Sequence, residues 1–379
     1  MAALGTQTAS AQIDIDREST GPGKGKPVWV SISGISGEAL QTLQLDLYVQ
    51  GFNFTNAEAA QYLISGSQNG GFTGRAVDKH NKNSLVSKTY TGSALRRQVH
   101  AFADDFVTAL QRVPIAQTKI AYKHDTGANS ELVIADFDGA GATQATKDAT
   151  ILAAPAWAPN QMAVYYCSYK LGNPSIFKHN LSTGARKIIA RYGGSNISPA
   201  PSPDGSKVAM ILSKDGWTDL YVAGADGGSP LRLTKSKQDE SSPCWSSDSK
   251  WVCFAAKVNE RRGLYKVSAG GGEVSRIKTE GVLNPTEPDW SPDGKWIVFT
   301  SMMGGSFEIC VVPSQGGAVI QLVAGEDPSW APNSRTVVFA RRQGGRRTLS
   351  LLDVETKQYK DIARISGSSG SSSQPSWAR

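Results

Sequence analysis

From about residue 119 to the C-terminus, short runs of Val, Ile, Leu, Phe and Tyr alternate with clusters of Gly, Pro, Asn and Asp, the pattern of short strands joined by tight turns. Before Pro114 the pattern differs. Pro27–Ile35 reads as an apolar strand; Glu38–Gln50 and Asn56–Ile64 have helical spacing, with Asn56 as N-cap of the second. Arg75–Asp78 and Leu85–Tyr90 suggest a hairpin. Ser93–Arg112 places Leu95, Val99, Phe102, Phe106, Val107 and Leu110 on one side of a helix that Val113-Pro114 ends. The expected organisation is a small α/β domain over residues 27–114, preceded by a flexible N-terminal segment, residues 1–26, that carries the Gly21-Pro22-Gly23-Lys24-Gly25 tract.

A self-similarity search of the C-terminal part finds one motif six times: Pro155-Ala-Trp157-Ala-Pro-Asn160, Pro199-Ala-Pro201-Ser-Pro-Asp204-Gly205, Pro243-Cys-Trp245-Ser-Ser-Asp248, Pro288-Asp-Trp290-Ser-Pro-Asp293-Gly294, Pro328-Ser-Trp330-Ala-Pro-Asn333 and Pro375-Ser-Trp377. The steps between the Trp positions are 44, 44, 45, 40 and 47 residues, the period of a four-stranded propeller blade. Each copy has the logic of a hairpin, with Trp on a short strand, Pro presetting φ, and Asp/Asn-Gly at the turn. Lys119–Lys123, Glu131–Phe137 and Thr143–Ala149 look like second, third and fourth strands with no Pro-x-Trp before them, whereas Pro375-Ser-Trp377 has nothing after it. Together the two fragments complete one blade. The predicted fold is therefore an α/β N-terminal domain followed by an all-β six-bladed propeller, residues 115–379, closed by its C-terminal strand, which removes the sheet edges that a linear array would expose. The recurring Trp residues are expected in the core and the Asp of Ser-Pro-Asp-Gly in turns.

Composition narrows the function. Forty Lys+Arg against 33 Asp+Glu give a net charge of +7 without a polybasic block, which argues against a nucleic-acid partner. No apolar run approaches the ~20 residues of a membrane span, so no membrane insertion is expected. Cys167, Cys244, Cys253 and Cys310 lack zinc-site spacing and read as buried small side chains; only Cys244 and Cys253 are close enough for a hairpin disulfide, a question the sequence leaves open. Ala9-Ser10-Ala11 matches a signal-peptidase pattern, but Met1–Thr8 holds neither a basic region nor an apolar core, so the signal looks truncated; a late start codon, a nearly mature form and a chance match all fit.

Catalytic patterns are few. His80, His100, His124 and His179 show no metal-ligand spacing, Gly-x-Ser-x-Gly is absent, and no metal or cofactor is expected. The loops entering each inner strand gather at one mouth of the ring and contain Asn196, Asp239, Glu240, Ser241, Asn284, Thr286, Glu287, Glu326, Asp327 and Gln374, a polar and partly acidic set suited to a protein loop. An alternative reading is a propeller accessory or hydrolase-type protein acting on a peptide or glycan, which a buried carboxylate pair or a metal in the channel would favour. A carbohydrate-binding propeller would show exposed aromatics at the mouth.

The extended N-terminus, the small α/β domain ending in a long helix, and the Pro-x-Trp-Ser-Pro-Asp-Gly blades resemble the TolB family of the Tol-Pal envelope system. That resemblance implies a non-enzymatic, monomeric periplasmic protein that supports outer-membrane integrity and envelope constriction at division. It implies that the propeller mouth receives the peptidoglycan-associated lipoprotein Pal, with Asn196, Ser241, Thr286 and Glu287 at the matching positions and Glu326, Asp327 and Gln374 beside them. It also implies that the N-terminal strand binds TolA; Gln12, Ile13, Asp14, Ile15 and Asp16 alternate as a peptide adding to a sheet edge would.

Overall fold

The computed structural model of the protein describes residues 21–364 and 370–379. The N-terminal part is a five-stranded sheet in the order Phe52–Phe54, Val28–Ser33, Tyr62–Ser67, Phe72–Asp78, Ser84–Tyr90, covered by two helices, Gly37–Tyr48 and Leu95–Ala109, that pack on each other. The long helix buries Val99, Phe102, Phe106 and Val107, the side that its 3.6-residue spacing marks. Gly74 lies where it passes the sheet, and a Cβ there would meet the Phe102 ring at 2.4 Å. The helix expected over Asn56–Ile64 is replaced by one capped turn, in which Asn56 Oδ1 accepts the Ala59 N–H at 3.0 Å. From Tyr62 the chain enters a central strand parallel to Val28–Ser33. Tyr62, Leu63 and Ile64 suit a pleated surface, and long-range pairing overrides the helical spacing.

Six four-stranded antiparallel sheets follow. Blade one consists of Ser371–Trp377, Lys119–Asp125, Ser130–Asp136 and Thr143–Gln144, so the C-terminal strand supplies its innermost position and pairs antiparallel with Lys119–Asp125. Blades two to six begin on the inner strands Leu152–Trp157, Asn196–Pro201, Glu240–Trp245, Thr286–Trp290 and Glu326–Trp330. The motif works as its residue types require. In the turns Ser202, Ser246 and Ser291 each donate to the Asp two residues on, at 2.6 Å. The five Trp residues of the motif are at most 7% exposed, filling the spaces between neighbouring sheets.

All four cysteines are buried and free. Cys244 and Cys253 stand directly opposite in register, so the pairing open from sequence is resolved as two packed thiols.

One apolar core runs from the N-terminal helices into the propeller and joins Phe102, Phe106 and Val107 to Phe137, Leu351 and Trp377. A buried ionic cluster crosses the same boundary. His100, on the long helix, donates from Nδ1 to Asp46 Oδ2 at 2.8 Å and stands 3.2 Å from Asp138 Oδ2 through Nε2, while Arg96 pairs with the same Asp138. Asp46 belongs to the first helix and Asp138 to a propeller turn, so one imidazolium bridges the two parts. Burial opposes its charge, but the hydrogen bonds to Asp138 and Asp46 outweigh it and push the pKa up to about 9.

Two outcomes follow for stability. Deleting residues from Pro375 onward removes the end of the closing strand with buried Trp377, and should cost at least the ~3–5 kcal/mol of losing one large aromatic, read as a lower melting temperature; an unchanged melting temperature refutes the closure. His100→Ala strands the buried Asp46 carboxylate, while Asp138 keeps Arg96, and should cost about 3–5 kcal/mol in chemical denaturation. Because the folded pKa lies above the ordinary 6.5, the stabilisation from His100 is complete below that pH and disappears as pH rises through about 9, a slope absent from the variant.

Candidate functional site

Each inner strand runs from the loop-bearing mouth toward the Ser-Pro-Asp-Gly turns and carries a bulge just before its Pro. Ala154, Ser198, Ser242, Glu287, Asp327 and Gln374 occupy the six equivalent positions, all with φ between 50° and 56°. Register shifts mark the same place in every blade. The residue before a proline is ordinarily extended, so this left-handed ring is invisible to sequence rules. Its effect is to break the ladder and, at Asp327, Gln374 and Ala154, to turn the main-chain N–H toward the preceding blade.

Side chains of the ring accept those N–H groups across the blade boundaries. Asp327 N–H donates to Glu287 Oε2 at 3.0 Å, Gln374 N–H to Asp327 Oδ2 at 3.0 Å and Ala154 N–H to Gln374 Oε1 at 2.9 Å. A second tier lies two residues on, where Trp330, Trp377 and Trp157 donate their N–H groups to Asp289 Oδ2, Ser329 Oγ and Ser376 Oγ at 2.8, 3.2 and 2.9 Å. Both tiers line a central cavity of about 470 Å³. Arg379 reaches across to Asp289 and donates from Nε to the Trp330 carbonyl at 2.9 Å.

The mouth residues expected from sequence divide into two groups. Thr286, Glu287, Asp327, Ser241 and Gln374 are half-buried around the channel. Asn196 and Glu326 are not available in the same way. Asn196 is 0% exposed, its Nδ2 donating to the carbonyls of Pro174, Tyr192 and Gly194 while Oδ1 accepts the Tyr192 N–H, so it shapes its loop from inside. Glu326 is buried and holds Arg347 at 2.5 Å. Glu240 is likewise internal, accepting the Leu220 N–H at 2.8 Å. The mouth is therefore less acidic than its sequence suggests, and its rim carries Arg342 and Arg346, both exposed on the tip of the blade-six hairpin. Gln12, Ile13, Asp14, Ile15 and Asp16 lie outside the described residues. The first described residues, from Gly21, run along blade six, where the Gly23 and Gly25 N–H groups donate to the carbonyls of Val354 and Glu355 at 2.9 and 3.0 Å.

Glu287 and Asp327 form a carboxylate pair in the channel. Burial first, then the Glu287 charge, pushes Asp327 up to about 8. The relay partners Asp289, Ser329, Ser376 and Arg379 were missed by sequence reasoning, although the first three sit between Pro and Trp of the motif itself and could have been found there.

Residues 111–379 match the family model described as the TolB beta propeller domain. The chain is 29% identical over 305 residues, 72% of this chain and 69% of its relative, to the Tol-Pal system protein TolB of Bordetella pertussis. Among solved structures it resembles TolB from Acinetobacter baumannii with a TM-score of 0.82 at 22% identity, over 95% of this chain and 98% of that one. A putative TolB from Agrobacterium tumefaciens follows with a TM-score of 0.54 at 18% identity, over 65% and 89%.

The raised Asp327 sets a pH dependence. A carboxyl that keeps its proton to about 8 when folded but ionises near 3.8 when unfolded makes the protein lose stability as pH climbs between those values. Asp327→Asn keeps an oxygen for the Gln374 N–H and removes the ionisation. It should therefore equal the parent near pH 4 and exceed it at pH 8 in thermal melts; parallel curves would contradict the channel electrostatics.

Proposed function

The chain belongs to the TolB β-propeller family, and on that premise we propose that it is a non-enzymatic periplasmic scaffold of the Tol-Pal system, supporting outer-membrane integrity and envelope constriction during division. In this reading it acts as a monomer that binds the peptidoglycan-associated lipoprotein Pal at the propeller mouth and TolA through Gln12–Asp16. The family match over residues 111–379 carries the proposal. The mouth supports it chemically: a rigid ring presents Ser241, Thr286 and Glu287 around a channel opening with arginines at its rim, a surface able to fix the register of a protein loop.

The carboxylate pair supports a second reading, a hydrolase-type propeller acting on a peptide or glycan, since a carboxyl protonated near neutrality suits a general acid. Against it, one oxygen of each carboxylate already accepts a main-chain N–H of the next blade, the same structural use that Gln374 continues.

Glu287→Gln with Thr286→Ala separates the two readings, because the amide preserves an acceptor for Asp327. The purified Pal periplasmic domain should bind the parent chain and lose at least about tenfold in affinity for the variant. Absence of binding to the parent, together with turnover of peptidoglycan fragments that Glu287→Gln abolishes, would favour the hydrolase. Deleting Gln12–Asp16 should remove TolA binding and spare Pal.

A further inference from the structure

We propose that the mouth carries a saccharide-binding site, a pocket between blades three and four in which the exposed ring of Trp217 stacks on the C–H face of one neutral sugar unit while Gln238, Asp239 and Asn259 bond its hydroxyls. The pocket shares no lining residue with the channel of Glu287 and Asp327, and the proposal does not depend on what docks at the channel opening.

The tryptophans of the repeated motif are buried between sheets, so an exposed one asks for a separate reason. Trp217 is 49% exposed at the tip of the blade-three hairpin, between Lys207–Leu212 and Asp219–Gly224, and Tyr169 is 40% exposed at the corresponding tip of blade two. These are the exposed aromatics that a carbohydrate-binding propeller would show at its mouth. Elsewhere on the propeller exposed rings are covered: Lys266 lies over Trp251 at 5.6 Å and Arg341 over Tyr359 at 4.4 Å. Among the described residues Trp217 meets no cation and no second ring, and its indole N–H has no acceptor.

Three loops close a pocket of about 290 Å³ around this ring. Lys237, Gln238 and Asp239 come from the loop entering the blade-four inner strand, and Lys257, Asn259 and Glu260 from that blade's hairpin. Main-chain bonds tie the loops together: the Glu240 N–H donates to the Thr218 carbonyl at 3.3 Å and the Lys257 N–H to the Asp239 carbonyl at 3.1 Å, so the pocket is formed before a ligand arrives and binding has little left to order. Its side chains are largely unspent. Lys257 is committed to Glu260 at 2.6 Å, and Asp239 accepts from Thr218 Oγ1 at 3.5 Å through Oδ1, which leaves Oδ2 open. Lys237 and the amides of Gln238 and Asn259 have no partner among the described residues.

The lining selects the ligand. Six polar residues around one apolar ring make a poor seat for the anchor of a protein partner, which prefers a well-packed, desolvated pocket. With Lys257 paired to Glu260, the charges of Lys237 and Asp239 offset each other, so neither an anion nor a cation is favoured. A neutral sugar unit suits both halves of the pocket. Each hydroxyl donates and accepts, as an ammonium, a carboxylate oxygen and two amides require, and the C–H groups of its flatter face meet the electron-rich face of the indole. The volume lies at the lower end of the ~300–1,000 Å³ of small-molecule sites, which fits one sugar ring at a time.

The test uses the full chain, 15N-labelled and assigned, titrated into the millimolar range with maltotriose, with triacetylchitotriose and, as an apolar control, with N-acetyl-leucine methylamide. Saturable shifts of the Gln238 and Asn259 side-chain amides and of the Trp217 indole N–H are expected from at least one saccharide, and the one that responds shows whether the site requires an acetamido group. Trp217→Ala should melt as the parent does, because the ring is exposed, and should lose at least about tenfold in affinity as read from the two side-chain amides. The proposal is overturned if neither saccharide moves these signals, if the leucine probe moves them equally, which would mark an apolar protein contact, or if a folded Trp217→Ala variant binds with unchanged affinity.

Discussion

The constraint on which closure of the propeller depends is the main-chain N–H that the inner-strand bulges at Asp327, Gln374 and Ala154 turn toward the preceding blade. Apolar burial between sheets is non-directional and would tolerate small slips of one blade against the next. A hydrogen bond from a fixed N–H to a side-chain oxygen does not. Leaving such a donor unpaired costs about 1–3 kcal/mol, so these bulges create a demand that the sequence meets from the preceding blade. Glu287, Asp327, Gln374, Asp289, Ser329 and Ser376 meet it across the boundaries between blades five, six, one and two.

The placement of the filled sites has a physical reason. The closing strand is separated from its partner Lys119–Asp125 by nearly the whole propeller, so its register receives no help from a short turn. Four of the six relay bonds involve residues 374–377, as donor or acceptor. The seam that chain connectivity does not hold is thus the one tied by directed bonds, and Arg379 adds further ties to Asp289 and Trp330. Blades three and four, away from that seam, carry the small residues Ser198, Ala200, Ser242 and Cys244 at these positions.

Much of this fold was legible in the sequence because it rests on residue types that do one thing. The Trp period gave the blade count, the orphan Pro375-Ser-Trp377 indicated closure, and Asp204, Asp248 and Asp293 were readable as turn formers that Ser202, Ser246 and Ser291 anchor. The candidate site was less legible. Whether an acid faces solvent or a main-chain donor depends on a bulge that pre-proline rules do not foresee, so Asn196, Glu240 and Glu326 looked like surface groups and are internal anchors. Asn56–Ile64 failed for a related reason: its helical spacing was local, while the vacancy beside Val28–Ser33 that Tyr62–Ser67 fills is a long-range fact.

The two buried ionic features answer different needs. His100 lies between two acids that belong to different parts of the molecule, and its charge is retained because Asp46 and Asp138 repay the burial; it acts as a fastener of the N-terminal helices to blade one. Asp327 is the opposite case, an acid beside another acid whose charge the channel disfavours. Evolution of a purely structural ring could have placed Asn or Gln there, as it did at position 374, with the same acceptor and no electrostatic cost. That Glu287 and Asp327 are carboxylic acids on the arc facing the small residues means the channel is polarised across its width. One wall carries the small side chains of Ala154, Ser198 and Ser242 and the other the acidic oxygens of Glu287 and Asp327.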